Sequence, residues 1–288
     1  MFGRRNHMFA DYHVHTEFSN DSVYPLEEVI RDAIAMQMDE ICFTDHVDYG
    51  VKKDRERPLS LPEQKDKQYL NVDYPAYAAR IKELRQIYGT RIDIRMGLEF
   101  GIQRHTFPQF EKLLHSALFD ANPLDFIILS VHQVDNKEFW TQEFQKGKSQ
   151  REYNELYYQE LLNVVREYKE YSVLGHLDHI SRYDLKGIYP FEKVRPIVTE
   201  ILKTVIQDGK GLELNTSYRR YGLMDTTPSV EILKLYRELG GEIVTVGSDS
   251  HQPEHLGAYI EEGKELLKCL GFGYFCTYDE MVPIYQKL

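Results

Sequence analysis

Hydrophobic positions along this chain come in two textures that take turns. Short apolar runs rich in β-branched and aromatic residues occur at MFADYHVH (8–15), EICFTDH (40–46), IDIRMGLEF (92–100), DFIILSVHQV (125–134), YSVLGHLD (171–178), GLELNTS (211–217) and EIVTVGSDSH (242–251). Each reads as a strand. Between them, apolar residues recur at three- and four-residue spacing in PLEEVIRDAIAM (25–36), YPAYAARIKELRQIY (74–88), FPQFEKLLHSAL (107–118), NELYYQELLNVVREYKEY (154–171), VRPIVTEILKTVIQ (194–207) and SVEILKLYRELG (229–240). That spacing predicts amphipathic helices. Strand and helix alternate through most of the chain, which predicts a parallel sheet with helical crossovers, either an open doubly wound sheet or a closed barrel.

The polar residues favour the barrel. In an open sheet ligands gather at a switch point, whereas in a barrel the end of every strand faces one mouth. Here each candidate strand ends in groups that suit a metal or a substrate: His13 and His15, Asp45 and His46, Glu99, His132, His176, Asn215 and Ser217, then Asp249 and His251. The spacing of His13 and His15 on an extended segment puts both imidazoles on one face. The expectation is an α/β protein, a TIM-like barrel, with residues 1–288 forming one domain. No internal repeat, low-complexity tract or linker interrupts it. The longest polar stretch, about 49–73, is too long for an ordinary connection. On a barrel it would hang over the mouth, either as a surface insertion or as a lid that helps set substrate choice.

Composition narrows the setting. With 288 residues, 42% of them hydrophobic, the chain can bury a sizeable core. Lys and Arg number 35 against 46 Asp and Glu, a net charge of -11, and no long basic run appears, so a general nucleic-acid surface is not expected. The three cysteines, Cys42, Cys269 and Cys276, form no CxxC pair, and two lie in apolar, strand-like contexts. Reduced thiols and a reducing compartment follow. There is no apolar signal core near the start and no unbroken apolar stretch of roughly 18 residues, so a soluble cytoplasmic protein with no membrane partner is expected.

The six histidines, Glu99 and Asp249 at strand ends, with Asp21 shortly after the first strand, form a nitrogen and oxygen donor set without sulfur. That mixture suits Zn, Mn or Fe, and it holds more donors than one ion needs. Several ions are implied. Cations lower the pKa of bound water and supply a nucleophile near neutral pH, so hydrolysis is the natural use.

DYHVHTEFSND, FTDHVDYG, GLEFG, SVHQV, GHLDHISRYD, NTSYRRYG and VGSDSH stand in an order that resembles the polymerase-and-histidinol-phosphatase (PHP) superfamily of metal-dependent phosphoesterases. The NTS segment followed by arginine, together with GHLDHISRYD, looks like the histidinol-phosphatase branch. The resemblance implies a distorted (β/α)7 barrel with three divalent metal ions. Carried over, one ion would take His13, His15, Glu99 and Asp249, with Glu99 bridging to a second that also takes His132 and His176. A third would take Asp21, His46 and His251; many members have histidine where Asp21 stands, and aspartate is itself a competent hard ligand.

Arg182 and Arg220, with Arg219 beside it, would reach the mouth from the loops after the fifth and sixth strands, and the resemblance favours Arg182 and Arg220 as a phosphate clamp. Glu99, Asp21 and His46 would be the catalytic groups, the last two as alternatives for protonating the leaving alcohol. The implied reaction is hydrolysis of a small phosphate monoester, L-histidinol phosphate in histidine biosynthesis. A phosphodiesterase or exonuclease on nucleotides and a non-catalytic metal-stabilised module are the alternatives. His105, His179 and His255 lie near these segments, while His7 and His115 are assigned no function.

Overall fold

The computed structural model describes residues 7–55 and 69–288. The centre of the polar insertion, 56–68, lies outside the described residues, and so does the lid expected there.

Seven parallel strands run in barrel order: Ala10–Val14, Glu40–Phe43, Asp93–Gly101, Phe126–Ser130, Val173–Leu174, Gly211–Asn215 and Val244–Gly247. The first and seventh meet through a bridge between Val14 and Ser250. There the His15 N–H donates to the Ser250 carbonyl at 2.8 Å and the Ser250 N–H to the His13 carbonyl at 3.1 Å. The sheet is thus nearly closed, a distorted TIM-like barrel. Its strands are buried along nearly their whole length, as all-parallel strands covered on both faces must be. A two-residue strand, His46–Val47, pairs with the third strand and sets His46 opposite Glu99.

The helices follow the periodicity where caps agree with it. Leu26–Ala35 buries Leu26, Val29, Ile30 and Ala33 on one stripe and carries Glu27 and Glu28 in its first turn, where the helix dipole favours negative charge. Tyr74–Tyr88 is capped by the Asp73 side chain, which accepts from the Ala76 N–H. The fourth expected helix starts a turn earlier, at Gln150 instead of 154, because Ser149 and Glu152 form a capping box; it ends at Glu167. The apolar stretch 107–118 breaks into Phe107–Leu114 and Ala117–Ala121. Two further elements follow the last barrel strand: a helix, Ile260–Cys269, and an antiparallel hairpin, Tyr274–Asp279 with Val282–Lys287. The hairpin closes on the first strand, since the Tyr278 N–H donates to the Tyr12 hydroxyl at 2.6 Å and both rings pack on Phe126. Cys42 and Cys276 are buried free thiols, and among the described residues no helix is long and apolar enough to cross a membrane.

Candidate metal centre

Eight of the nine expected donors lie at or just beyond the carboxyl ends of the barrel strands, and Asp21 lies on the loop after the first. Glu99 stands at the centre, 1% exposed. Its Oε2 lies 3.2 Å from His13 Nε2, 3.5 Å from His15 Nε2 and 3.0 Å from His46 Nδ1. Its Oε1 lies 3.1 Å from His132 Nε2 and 2.9 Å from His176 Nε2, and accepts from Ser130 Oγ at 2.7 Å. Asp249 Oδ1 is 3.6 Å from His13 Nε2 and 3.5 Å from His15 Nε2. At the rim, Asp21 Oδ2 is 3.4 Å from both His46 Nε2 and His251 Nε2. The structure therefore brings all nine donors together: seven of them fall in overlapping groups that could each hold a cation, and Asp249 and Asp21 lie against those groups.

The protons on the rings test whether a cation fits. His13 Nδ1 donates to Glu213 Oε1, His132 Nδ1 to Asp48 Oδ1 at 2.8 Å, and His251 Nδ1 to the Asp249 carbonyl at 2.9 Å. His15 Nδ1 is 3.2 Å from Ser19 Oγ, whose own proton goes to Asp45 Oδ1 at 2.6 Å, leaving Ser19 to accept. In each of these four rings Nδ1 is engaged as a donor, so Nε2 is the atom left to face carboxylate oxygen, with room between them for a proton or a metal cation. Nitrogen and oxygen lone pairs at this range repel unless something positive lies between them. His13 Nε2, His15 Nε2, His46 Nδ1 and Glu99 Oε2 are indeed buried without a hydrogen-bond partner. A tetrahedral zinc with bonds of roughly 2.0–2.2 Å has donor–donor edges of roughly 3.3–3.6 Å, and the separations linking His13 and His15 to Glu99 and Asp249 match them. The residues fit a multi-metal site.

Electrostatics agree. Burial works against an ionised Glu99, but His13, His132 and His46 outweigh it and hold the carboxyl well below the usual range. Asp249 is likewise held down against burial by His13 and Arg182. Burial, aided by His251 and His46, pushes His15 well below the usual imidazole range and keeps it a neutral donor. Burial does the same for His176.

The three arginines part company. Arg182, its side chain 3% exposed, donates to Asp249 Oδ2 at 3.0 Å and Ser217 Oγ at 2.8 Å and lies on the Tyr221 ring. It faces a cavity of about 820 Å³ lined also by Asp21, His46, His132, His176 and His251. Arg220 is tied to the carbonyls of Ser248 and Asp249, at 2.8 and 2.7 Å. Arg219, expected beside Arg220 among the substrate-binding residues, is turned outward here: Glu262 at 2.7 Å and the Tyr259 ring engage it. His179 lines the mouth against His176, their ring centres 4.4 Å apart, and burial holds it neutral. Glu213, Asp48 and Ser19, which contact the Nδ1 atoms of His13, His132 and His15, were not expected from the sequence. The one available signal was the alternation of Glu213 with Asn215 on the sixth strand, which puts both on the face that bears the site.

The PHP domain family matches residues 11–217. The chain belongs to that family. Within it, a histidinol-phosphatase of Lactococcus lactis subsp. lactis (strain IL1403) is 32% identical over 286 residues, covering 94% of each chain. A crystal structure of histidinol phosphate phosphatase from the same organism, complexed with zinc, L-histidinol and phosphate, aligns with a TM-score of 0.80 at 30% identity, covering 96% of this PHP chain and 98% of that one. A structure from Listeria monocytogenes, 21% identical, shares the fold with a TM-score of 0.68 over 87% of this chain and 98% of its own.

Proposed function

We propose that this PHP protein is a phosphoric monoester hydrolase that works with bound divalent cations, that its substrate is L-histidinol phosphate, and that it serves histidine biosynthesis in the cytoplasm. The observation that carries the reading is the ring of Nε2-out histidines around Glu99, in a chain that matches end to end an enzyme whose structure holds zinc, L-histidinol and phosphate. His13, His15, Glu99 and Asp249 are assigned to a first ion, Glu99, His132 and His176 to a second, and Asp21, His46 and His251 to a third, with Zn, Mn or Fe the suitable metals.

Bound there, such cations polarise phosphoryl oxygens and lower the pKa of water to near neutrality. The chain's own groups do the rest. Arg182 presents a fixed fork at the mouth, where it can meet the equatorial oxygens of a transferring phosphoryl group. Tyr221 braces that fork from one face. Asp21 and His46, 3.4 Å apart on the open side, are placed to hold the proton that the departing alcohol requires. Arg219 takes no part, and Arg220 acts by holding the loop that carries Asp249.

The test is a substrate profile of the protein after measured metal loading, with L-histidinol phosphate, an aryl monoester and an aryl diester. The reading expects histidinol phosphate to exceed the aryl monoester by about a hundredfold or more in kcat/KM, because contacts to the alcohol portion add to those with phosphate. Preference for the diester, or no turnover in a fully loaded protein, would overturn it. In the same assay Arg182→Lys keeps the charge but loses the planar fork; kcat/KM should drop about a hundredfold and inorganic phosphate should inhibit about tenfold more weakly. Unchanged phosphate inhibition would remove Arg182 from the clamp.

A further inference from the structure

We infer that Lys52, at the foot of the polar insertion, is a positioning residue for the second cation site, acting through Asp48 on His132. The inference rests on the reading of His132 as a cation ligand.

Lys52 is an unusual lysine. Its side chain is 8% exposed, and its Nζ donates to Asp48 Oδ2 and to Asn20 Oδ1, both at 2.6 Å. Lysines are almost never so buried unless they are paired. Asp48 is itself buried, and its carboxylate is divided: Lys52 takes Oδ2 and His132 Nδ1 takes Oδ1 at 2.8 Å. His46 Nδ1 waits 3.9 Å from Oδ2 as a competing partner. By occupying Oδ2, Lys52 leaves Oδ1 aimed at His132. That contact keeps the ring proton on Nδ1 and points Nε2 at Glu99 Oε1, 3.1 Å away. A carboxylate behind a ligating imidazole fixes both its tautomer and its orientation.

Two further observations show that the arrangement is built. A Cβ on Gly101 would fall 1.7 Å from Asp48 Oδ1 and 2.7 Å from His132 Nδ1, so the third strand carries a glycine where the Asp48–His132 hydrogen bond passes over it. The backbone of Asp48 is pinned as well, its N–H donating to Asn71 Oδ1 at 2.9 Å. Asn71 belongs to the other foot of the insertion, and the two feet are joined by a bridge between Lys53 and Leu70. Both feet of the insertion thus converge on the residue that orients His132. Through Asn20, the neighbour of Asp21, the same ammonium also reaches the rim where Asp21 faces His46 and His251.

The experiment uses the full chain and its Lys52→Met, Lys52→Arg and His132→Ala variants, each stripped of metal and titrated with Zn²⁺ by calorimetry, with metal per chain measured after dialysis. Lys52→Met should melt within a few degrees of the parent when metal-free yet bind the second-site ion roughly 10–100-fold more weakly. Excess Zn²⁺ should restore its kcat with KM for the phosphate ester unchanged, and Lys52→Arg should return affinity to within a few fold of the parent. Gly101→Ala, which places a methyl group on the seat of Asp48 Oδ1 with Lys52 intact, should show the same weakened affinity. If Lys52→Met or Gly101→Ala binds every ion with parental affinity while His132→Ala loses one, the inference is overturned and the ligand assignment stands. If His132→Ala also keeps every ion, the ligand assignment falls and the inference with it.

Discussion

Replacing Glu99 by glutamine is expected to cut kcat/KM for a phosphate monoester by roughly a thousandfold or more, equivalent to about 4 kcal/mol of lost transition-state stabilisation. One carboxylate serves five imidazoles, His13, His15 and His46 through Oε2 and His132 and His176 through Oε1. An amide of the same shape keeps one oxygen but replaces the other with an NH2 group, which has no lone pair to offer a cation. Whichever way it turns, one side of the cluster loses its anion. The buried amide hydrogens would compete for the nitrogen lone pairs, and the negative charge that cations on either side of residue 99 would share would be gone. Metal analysis should show fewer than the parent number of ions, with far-ultraviolet circular dichroism unchanged. A Glu99→Gln protein with full metal content and activity within tenfold of the parent would remove Glu99 from the bridging role.

Stripping the metals should abolish turnover, lower the melting temperature and leave a protein whose reloading depends steeply on pH. Each ion present at a hundred times its dissociation constant adds about 2.7 kcal/mol to the folded state, so the loss of several is a large fraction of a domain's stability. The pH dependence follows from His132. Burial disfavours its charged form, but Glu99 and Asp48 outweigh burial and push its pKa up to about 9 in the metal-free protein. Below that value the ring holds a proton where the cation must bind, and the proton has to leave first. Apparent affinity of the second site should therefore rise about tenfold per pH unit as pH increases, and level off above about 9. Titrations of the stripped protein at pH 6, 7, 8 and 9 read this directly. A flat profile between pH 6 and 8 would show that His132 gives up no proton on loading.

The strand order and the polar ends of the strands were legible because a parallel barrel imposes both at once. Its strands are buried on two faces and read as short apolar runs, and its functional groups have only the strand ends to occupy. Helix ends were less legible where local chemistry overrode periodicity, as at Ser149 and Glu152, whose reciprocal bonds extend the helix back to Gln150. The periodicity gave no helix at Ile260–Cys269 because its glycine and charged residues dilute the apolar stripe; Gly263 packs closely there, where a Cβ would lie 3.2 Å from Leu214 and Val246. In the site, the donors stood out because histidines cluster there, while the groups that aim them did not. Glu213 looks like a polar residue inside a strand, and Asp48 and Lys52 like part of a solvated loop. Only three-dimensional placement shows Glu213 behind His13 and Asp48 behind His132. Arg219 misled for the complementary reason: adjacent arginines on a turn point in different directions, and Glu262, distant in sequence, claims the first of them.

The seam between the first and seventh strands has a consequence for how firmly the barrel is shut. His13 and His15 lie on one side of it and Asp249 and His251 on the other, joined by two backbone hydrogen bonds. A cation held by His13, His15 and Asp249 would act as a clasp across that seam, tying the first strand to the seventh where backbone pairing is thinnest. Loading would then close the barrel as well as equip it, and the stripped protein would open first along this seam.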